Sequence, residues 1–376
     1  MFKLPPISLY IHIPWCLKKC GYCDFTSYVD KNTLPEKQYI KHLLKDFEKD
    51  LSLINNRKIG TIFIGGGTPS LLKYESIQDL IQGIKKRTFI SNNIEISMEA
   101  NPSTLESERF IYYKMSGINR FSLGIQTFQS SFLKKIERTY SSKEAHKAIK
   151  IIKKINSNIN LDLMYGLPGQ SIKDGLLDLN YAINYDPSHI SWYQLTIEPN
   201  TRFYQKKPKL PDENIVLSIL KKGKKLLKES GYKQYEISSY SKPNYQCKHN
   251  LNYWNFGDYI GIGCGAHGKI TQKNGNIIRT IKNKNMNDFL SGKYIHSEHK
   301  ISIKDRTFEY FMNLFRLYQP VIKNHFRERT NINEKYIQKK IEKAIKKGYL
   351  IETFNSWNTT DLGKNFLNSL LKIFLY

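Results

Sequence analysis

Cysteine is scarce in this sequence, which has five cysteines among its 376 residues. Three of them, Cys16, Cys20 and Cys23, lie close together, and an odd number with this clustering argues against a disulfide framework and indicates a reducing compartment. Long hydrophobic runs are also missing, because no stretch of about 18 apolar residues occurs that could form a transmembrane helix. The opening residues, Met-Phe-Lys-Leu-Pro-Pro, lack the charged and then apolar layout of a signal peptide. We therefore expect a cytoplasmic protein.

Acidic residues are few as well, with 33 aspartates and glutamates against 59 lysines and arginines, which gives a formal net charge of +26. Such a charge suggests a nucleic-acid or anionic-membrane partner. However, the lysines are dispersed over many predicted helices, and the chain is rich in Lys, Asn, Ile, Tyr and Phe, the residues of A/T-rich codons. We interpret the charge as codon bias or as solvated helix faces. We expect no nucleic-acid partner, although anionic small molecules would be attracted.

The length suits a barrel of roughly 250 residues with a smaller module, because 376 residues are too many for one ordinary domain. Six apolar segments, each followed by turn residues, predict strands. They cover residues 9–13, 61–64, 94–98, 121–125, 161–164 and 190–195. Helical periodicity lies between them, over residues 40–54, 76–86, 106–115, 142–155, 171–184 and 212–228. This alternation implies parallel strands joined by right-handed crossovers.

The clustered cysteines lie on a short loop directly after the first predicted strand. Three thiolates cannot fill the four ligand positions of a [4Fe–4S] cluster, so a cluster held here would keep one iron open. A zinc site is an alternative, with His12 completing the set, and so is a chance grouping of thiols.

The residues around these cysteines resemble a known family. The spacing CxxxCxxC, the preceding Tyr10-Ile-His-Ile-Pro14, Tyr22 between the last two cysteines and the following Asp24-Phe25 are similar to the coproporphyrinogen oxidase-like branch of the radical S-adenosylmethionine superfamily. The resemblance implies an α/β fold, an incomplete (βα)6 TIM-type barrel with its chemistry on the loops at the C-terminal ends of the strands. It also implies that Cys16, Cys20 and Cys23 hold a [4Fe–4S] cluster whose open iron is chelated by S-adenosylmethionine.

The same resemblance supplies candidate residues for S-adenosylmethionine. The motif Gly65-Gly-Gly-Thr-Pro-Ser70 follows the second strand, and consecutive glycines permit positive φ and close backbone approach. It lacks the Gly-Lys-Ser/Thr ending of a phosphate-binding loop. The expected S-adenosylmethionine-binding residues are Tyr10, Tyr22, Gly66, Gly67, Thr68, Glu99, Gln126, Arg138 and Asp162. The family also uses a second S-adenosylmethionine site, so the number of sites stays open.

The pattern changes after residue 230. We expect a strand over 235–240, a glycine-rich loop over 261–268, a linker over 282–287, and helices followed by a short hairpin before a last helix over 362–374. This final part resembles a winged-helix module. The chain is therefore divided into a partial barrel over 1–230, a barrel-closing segment over 231–285, and a mainly helical, winged-helix-like domain over 286–376.

Two features separate this chain from true oxygen-independent coproporphyrinogen oxidases. Those proteins have a further cysteine where Phe25 stands, and they carry an N-terminal extension that is not present before the first strand here. The motif His249-Asn-Leu-Asn-Tyr-Trp254 instead resembles the haem-chaperone branch of the family. It implies haem bound near His249, with Tyr253 and Trp254 as surfaces for the ring.

The remaining parts of the haem site are open. Cys247 and His267 are second-choice axial donors, and Lys248 is a candidate partner for the propionates. The spacing alone favours an interpretation in which the motif hydrogen-bonds a loop and packs its aromatic rings on the barrel edge, and the family resemblance reverses that preference.

Three functions follow. We favour a haem chaperone that hands haem to an acceptor protein, takes electrons from a donor for its cluster, and allows peripheral contact with a membrane-bound acceptor. The alternatives are an oxygen-independent coproporphyrinogen III oxidase and a nucleic-acid-modifying radical enzyme. We expect no coproporphyrinogen oxidase activity. Use of radical chemistry, oligomeric state and acceptor identity stay open.

Overall fold

The computed structural model describes residues 4–29, 34–103 and 109–375, and its dominant element is a twelve-stranded sheet. In chain order the strands are β1 (Ile7–Ile13), β2 (Trp15–Cys16), β3 (Tyr28–Val29), β4 (Ile59–Gly66), β5 (Ile90–Ala100), β6 (Arg120–Gln126), β7 (Ile159–Tyr165), β8 (His189–Gln194), β9 (Lys233–Gln234), β10 (Ser239–Ser241), β11 (Asp258–Ile262), β12 (His267–Thr271), β13 (Ile277–Lys282), β14 (Ile295–Lys300), β15 (Val321–Ile322), β16 (Leu350–Glu352) and β17 (Ser356–Thr359).

The centre of the sheet is parallel, as predicted. Strands β1, β4, β5, β6, β7 and β8 lie side by side in this order, so the six predicted strands are confirmed, although β8 ends at Gln194 and not at residue 195. A seventh parallel strand, β11, pairs with β1 on its other side. It was missed because its end, Gly261-Ile262, was assigned to a glycine-rich loop. Antiparallel β12, β13 and β14 extend the sheet beyond β11, and β10 and β9 extend it beyond β8.

Helices connect the parallel strands. The described helices are α1 (Glu36–Asp50), α2 (Tyr74–Lys85), α3 (Phe110–Met115), α4 (Ser130–Lys135), α5 (Ser142–Ile155), α6 (Ile172–Asn184), α7 (Arg202–Lys206), α8 (Glu213–Glu229), α9 (Lys248–Trp254), α10 (Met286–Leu290), α11 (Ile303–Leu314), α12 (Lys323–Thr330), α13 (Gln338–Lys346), α14 (Asp361–Asn365) and α15 (Leu367–Leu375), with 3-10 turns at Leu51–Ile54, Pro69–Leu71 and Glu334–Ile337. The prediction over 142–155 is confirmed residue for residue. The one over 106–115 begins outside the described residues, and its later part is α3.

Local sequence explains where the crossover helices begin. The side chain of Ser141 accepts the N–H of Glu144, whose carboxylate in turn accepts the N–H of Ser141, so α5 starts with a capping box. Ser171 and Asp174 form the same arrangement at α6. In α5 the buried residues then recur at helical spacing and pack against the sheet.

The two faces of the parallel sheet differ in polarity. Alternate residues such as Leu9, Ile62, Met98 and Leu161 are fully buried in the apolar core under the helices. The residues between them are polar and face the inside of the barrel, since side chains alternate along a strand. These inward residues include Ser8, Thr61, Glu95, Glu99, Arg120, Ser122, Asn160, Asp162 and His189. The barrel therefore has a polar interior.

The C-terminal part has its own apolar core, which includes Phe311, Phe326, Trp357 and Phe374. It contains α11, α12 and α13, and a small sheet in which β17 lies between β15 and β16. The predicted helices and hairpin are thus present, while their classification as a winged helix and the domain boundaries at 230 and 285 stay predictions. Among the described residues, no helix is both long and apolar enough to cross a bilayer.

Three local expectations were wrong. The predicted linker over 282–287 begins inside β13, where the ammonium of Lys282 is fully buried between the carboxylates of Asp46 at 2.6 Å and Asp50 at 2.7 Å. The predicted strand over 235–240 is mostly the connection between two short antiparallel strands, because β9 ends before it, at Gln234, and β10 begins only at Ser239. The last predicted helix is interrupted at Phe366, which separates α14 from α15.

Candidate functional site: the cysteine cavity

The cysteine loop begins and ends in a short parallel pair of strands, β2 and β3, beyond the C-terminal end of β1. The Cys16 side chain is buried, and Cys20 and Cys23 are half-buried. The N–H of Cys23 donates to the carbonyl of Cys20 at 3.3 Å, which makes a turn between the last two cysteines. All three carry free thiols.

Helix α7 supports this loop from outside. The N–H of Phe203 donates to the carbonyl of Gly21 at 2.8 Å, and a Cβ at Gly21 would lie 2.4 Å from the Phe203 ring. Arg202 forms a 2.5 Å ion pair with Glu137 and donates to the carbonyl of Lys19. The loop is therefore fixed by a segment that lies far along the chain, for which the sequence analysis found no signal.

The glycine motif after β4 packs against the cysteine strand. Gly66 has a φ of +113°, and a Cβ there would lie 2.6 Å from the ring of His12. A Cβ at Gly67 would lie 2.5 Å from the carbonyl oxygen of Trp15. These two positions require glycine because the two loops approach each other, and Thr68 then donates to the sulfur of Cys16 at 3.6 Å.

A cavity of about 310 Å³ lies between the cysteine loop and the C-terminal ends of the parallel strands. The predicted site residues on its wall are Cys16, Cys20, Tyr22, Cys23, Gly66, Gly67, Thr68, Glu99, Gln126, Arg138 and Asp162. Polar residues that the sequence analysis did not single out also line it, among them Asn101, Ser122, Thr139 and Tyr193. Its volume is at the lower end of the range of small-molecule sites.

Arg138 is the cation of this cavity. Its Nη1 lies 3.6 Å from the sulfur of Cys20 and 3.5 Å from Oδ1 of Asn101, and Nη2 lies 3.4 Å from the carbonyl oxygen of Gly124. Its buried Nε has no hydrogen-bond partner within the described residues. Within the described residues, no carboxylate forms a salt bridge with Arg138. The cavity therefore offers an unneutralised guanidinium to an anion.

Two carboxyl groups, those of Glu99 and Asp162, also line the cavity. Burial, with the nearby Asp162 carboxylate, raises the pKa of Glu99 from 4.5 to about 8. Oε2 of Glu99 accepts only one described hydrogen bond, from the N–H of Gly66 at 3.1 Å. Burial also raises the pKa of Asp162, although hydrogen bonds from Ser122 and Asn160 act to lower it. A cationic ligand would favour the charged form of Glu99.

Gln126 ends β6 with a φ of +62°, at a register irregularity between β6 and β7. Its Oε1 accepts the hydroxyl of Tyr193 at 2.8 Å. Tyr193 lies on β8. Because side chains alternate along a strand, the sequence pattern of β8 could have predicted that Tyr193 points into the barrel.

Comparison with known proteins decides which family has this site. A family model described as "Radical SAM superfamily" matches residues 10–180, which include the cysteine loop and most of the cavity. Heme chaperone HemW of Buchnera aphidicola subsp. Acyrthosiphon pisum is 71% identical over 100% of both chains. Heme chaperone HemW of Escherichia coli K12 is 48% identical, again over 100% of both chains.

This chain belongs to the HemW family of radical SAM proteins. The family predicted from the cysteine spacing and the His249 motif is thereby confirmed. The structure of coproporphyrinogen III oxidase HemN from Escherichia coli matches 99% of this chain and 90% of its own length, with a TM-score of 0.84 at 20% identity. That similarity confirms the radical SAM fold.

One predicted cofactor residue of this HemW-family chain lies off the cavity wall. The hydroxyl of Tyr10 shares a hydrogen bond of 3.0 Å with Nδ1 of His12, and its ring stacks on Phe63. Nε2 of His12 is 2.8 Å from the carbonyl oxygen of Thr26. Both nitrogens of His12 are thus engaged in packing the cysteine loop, which opposes the alternative in which His12 binds zinc.

The HemW-family motif His249-Asn-Leu-Asn-Tyr-Trp254 forms α9, which lies against the inward side chains near the N-terminal ends of the strands. The Glu95 carboxylate accepts the N–H groups of Lys248 and His249, both at 3.1 Å. Nδ1 of His249 is hydrogen-bonded to Thr61 at 3.0 Å, and its ring lies 5.1 Å from that of Phe63. Burial, with the positive charge of Arg120, lowers the pKa of His249 to about 3.

The aromatic part of the motif lies beside the C-terminal core. The rings of Tyr253 and Trp254 are 4.9 Å apart, and the Arg316 guanidinium lies 5.1 Å from the Trp254 ring. The two second-choice haem donors differ sharply, because Cys247 is fully buried and His267 is exposed at the start of β12. The cysteine cavity is therefore not lined by His249, Tyr253 or Trp254.

Proposed function

We propose that this chain is a haem chaperone that binds haem, holds a [4Fe–4S] cluster with S-adenosylmethionine, and transfers haem to an acceptor protein. The observation that carries the proposal is its full-length similarity to proteins named heme chaperone HemW, at 71% identity in one case. The cysteine cavity supports the cofactor part, because it brings all three clustered cysteines to one wall.

The cysteine side chains fit a cluster with three protein ligands. Within the described residues, no three His, Cys, Asp or Glu side chains form a group suited to a single metal ion. Cys16, Cys20 and Cys23 instead border a cavity, which suits a larger inorganic group with one open iron. Burial raises the pKa of the Cys23 thiol to about 11, so that binding iron would release protons. The contacts from Thr68 and Arg138 to sulfur would tune the potential of the cluster.

The remaining wall fits S-adenosylmethionine. The unpaired guanidinium of Arg138 suits the carboxylate of its methionine part, and Glu99 suits the ammonium. Asp162 and Gln126 offer acceptors for ribose hydroxyls, with the Gly66-Gly67-Thr68 turn and Tyr22 completing the site. With the reduced cluster, S-adenosylmethionine supplies one-electron chemistry. An electron donor and a haem-acceptor protein are therefore partners of the proposed function, and the cytoplasm is its proposed location.

The haem ligand assignment stays a prediction. His249 offers an imidazole, and Tyr253 and Trp254 offer ring surfaces, but the His249 ring is already hydrogen-bonded to Thr61 and buried. Iron binding by His249 would therefore need movement of α9 relative to the sheet. His267, which is exposed, needs no such movement.

Two sets of variants test these assignments. After anaerobic reconstitution, Cys16→Ala, Cys20→Ala and Cys23→Ala should each lose the broad visible absorbance of the cluster, while Cys264→Ala, a buried cysteine outside the cavity, should retain it. Full retention of the cluster by Cys20→Ala would contradict the cluster site. For haem, a Soret titration should show weakened binding by His249→Ala. If His267→Ala is weakened and His249→Ala is not, the axial ligand is His267.

A further inference from the structure

A cavity of about 450 Å³ lies where the extended sheet meets the C-terminal part of the chain. The turn between β12 and β13 forms one side of it, the junction of β14 with α11 forms another, and the residue that follows α12 completes the wall. This junction cavity shares no lining residue with the cysteine cavity. The proposed function gives it no role, so its chemistry must be considered separately.

Arg306 on α11 places a guanidinium on the wall of the junction cavity. The residue is 5% exposed, and its Nη1 donates to the carbonyl of Gly275 at 3.2 Å and to that of Thr330 at 2.7 Å. Within the described residues its buried Nε has no hydrogen-bond partner, whereas Nη2 makes no hydrogen bond and is not fully enclosed. No carboxylate there forms a salt bridge with Arg306, and burial lowers its pKa. Because a buried cation without a counter-charge is costly, the cavity is suited to an anion that reaches Nη2.

The rest of the wall adds a second positive charge and two amides. Lys300, the last residue of β14, is exposed and forms no salt bridge within the part of the chain that the structure describes. Asn276 and Asn331 also line the cavity, and no acidic residue among the described ones does. The nearby carboxylate of Asp305 already accepts the hydroxyl of Ser302 at 2.6 Å. An anion would therefore meet two cations and no lining carboxylate.

Gly275 keeps this space open. It has a φ of +80°, and a Cβ there would lie 2.5 Å from Nδ2 of Asn331. Ile303, the first residue of α11, lies on the same wall, where the dipole of the helix favours negative charge. Because the donors come from three separate segments, an anion with three or four acceptor oxygens would satisfy more of them than a planar carboxylate would.

We propose that the junction cavity binds a phosphate group, either as inorganic phosphate or as the phosphate of a small monoester. Its oxygens would accept from Nη2 of Arg306 and pair with the ammonium of Lys300, and the amides of Asn276 and Asn331 would complete the site. The bound group would hold the turn after β12, α11 and the end of α12 together, because it binds only their folded arrangement.

Isothermal titration calorimetry of the reconstituted full chain with inorganic phosphate, at an ionic strength kept constant with sodium chloride, tests this site. The parent should bind one phosphate with a Kd below about 1 mM. Lys300→Met should weaken that binding about threefold or more, because one of the two cations is lost. Lys222→Met removes the same charge from an exposed position of α8 and should bind phosphate like the parent.

Two further titrations identify the ligand chemistry. Acetate at the same ionic strength should bind much more weakly than phosphate, and equal binding of the two anions would overturn the choice of phosphate. Phenyl phosphate distinguishes the two sources of the group. Tighter binding of this monoester than of inorganic phosphate would support a phosphorylated small molecule, and the reverse order would support free phosphate.

Arg306→Gln should abolish saturable binding of phosphate. This variant also loses both backbone contacts of Nη1, so Lys300→Met, at an exposed position, keeps the test valid if Arg306→Gln does not fold. Equal affinities of the parent, Lys300→Met and Lys222→Met would show that phosphate binds diffusely to the basic surface, which would overturn the proposal. Absence of saturable binding by the folded parent would overturn it as well, and neither result bears on haem binding.

Discussion

Nη1 of Arg138 lies 3.6 Å from the sulfur of Cys20. This contact joins the turn after α4 to the cysteine loop, and it places a guanidinium beside one of the three thiols that the proposed cluster needs. Because Arg138 has no carboxylate partner in the described residues, its charge is available to the cysteine sulfur and to an anionic ligand. Because the Arg138 side chain is half-buried, its charge acts more strongly on these neighbours than a charge at the surface would.

The first prediction concerns this charge. Arg138→Met should shift the midpoint potential of the reconstituted cluster to more negative values, on the order of 60 mV, because the added electron loses a nearby cation. Potentiometric titration followed by electron paramagnetic resonance measures the shift. Lys134→Met, at an exposed lysine of α4, is the matched control. Equal potentials for Arg138→Met and the parent would show that the contact has no electrostatic role.

The second prediction concerns the glycine motif. Gly67→Ala should destabilise the fold by about 1–3 kcal/mol and lower cluster incorporation, because its Cβ would lie 2.5 Å from the Trp15 carbonyl. Gly60→Ala on β4, the strand that precedes Gly67, is the control, since a Cβ there has an ordinary contact of 3.5 Å with the carbonyl of Ile7. Thermal unfolding and iron content measure both effects. Parental values for Gly67→Ala would mean that the two loops do not approach this closely.

The third prediction is a pH dependence. Burial and Asp162 raise the pKa of Glu99 from 4.5 to about 8, so the folded state keeps a proton that the unfolded state releases. Stability from this group is therefore greatest below about pH 4.5, falls as the pH rises from about 4.5 to about 8, and levels off above that. Between about pH 6 and pH 9, the ligand-free parent should lose about 2 kcal/mol relative to Glu99→Gln.

Denaturant unfolding at both pH values measures this difference. Glu213→Gln, at an exposed glutamate of α8, should follow the parent. If Glu99→Gln and the parent lose stability in parallel, Glu99 is already ionised in the folded protein.

The fourth prediction is that the chain does not oxidise coproporphyrinogen III, although its fold matches that of HemN. The cysteine cavity opens to the surface beside the cysteine loop. Leu17 and Phe25 on its wall are each 57% exposed, so the site is not closed to water as a radical reaction requires. Anaerobic incubation with reductant and both substrates should yield no protoporphyrinogen. Turnover of about one per minute or faster would contradict this.

The sequence predicted those features that follow from local pattern. Strand and helix periods gave the six parallel strands, and the family resemblance gave Glu99, Gln126 and Asp162, which line the cavity. Features that depend on distant partners were not predicted. Lys282 resembled a linker residue because the residues after it are polar, whereas its burial at the end of β13 depends on Asp46 and Asp50 of helix α1.

The same reason explains the missed parts of the site. The cysteine spacing predicted a cluster site on the loop, but the support of that loop by Arg202 and Phe203 requires knowledge of tertiary packing. The unpaired Nε of Arg306 in the junction cavity is likewise invisible in sequence, because a buried group without a partner can be recognised only when all its neighbours are known.

The haem-chaperone function is tested most directly by titrating haem into the anaerobically reconstituted chain and following the Soret band together with the cluster absorbance. The proposal predicts near-stoichiometric haem binding while the cluster remains intact. Absence of haem binding by protein that has a full cluster would contradict it.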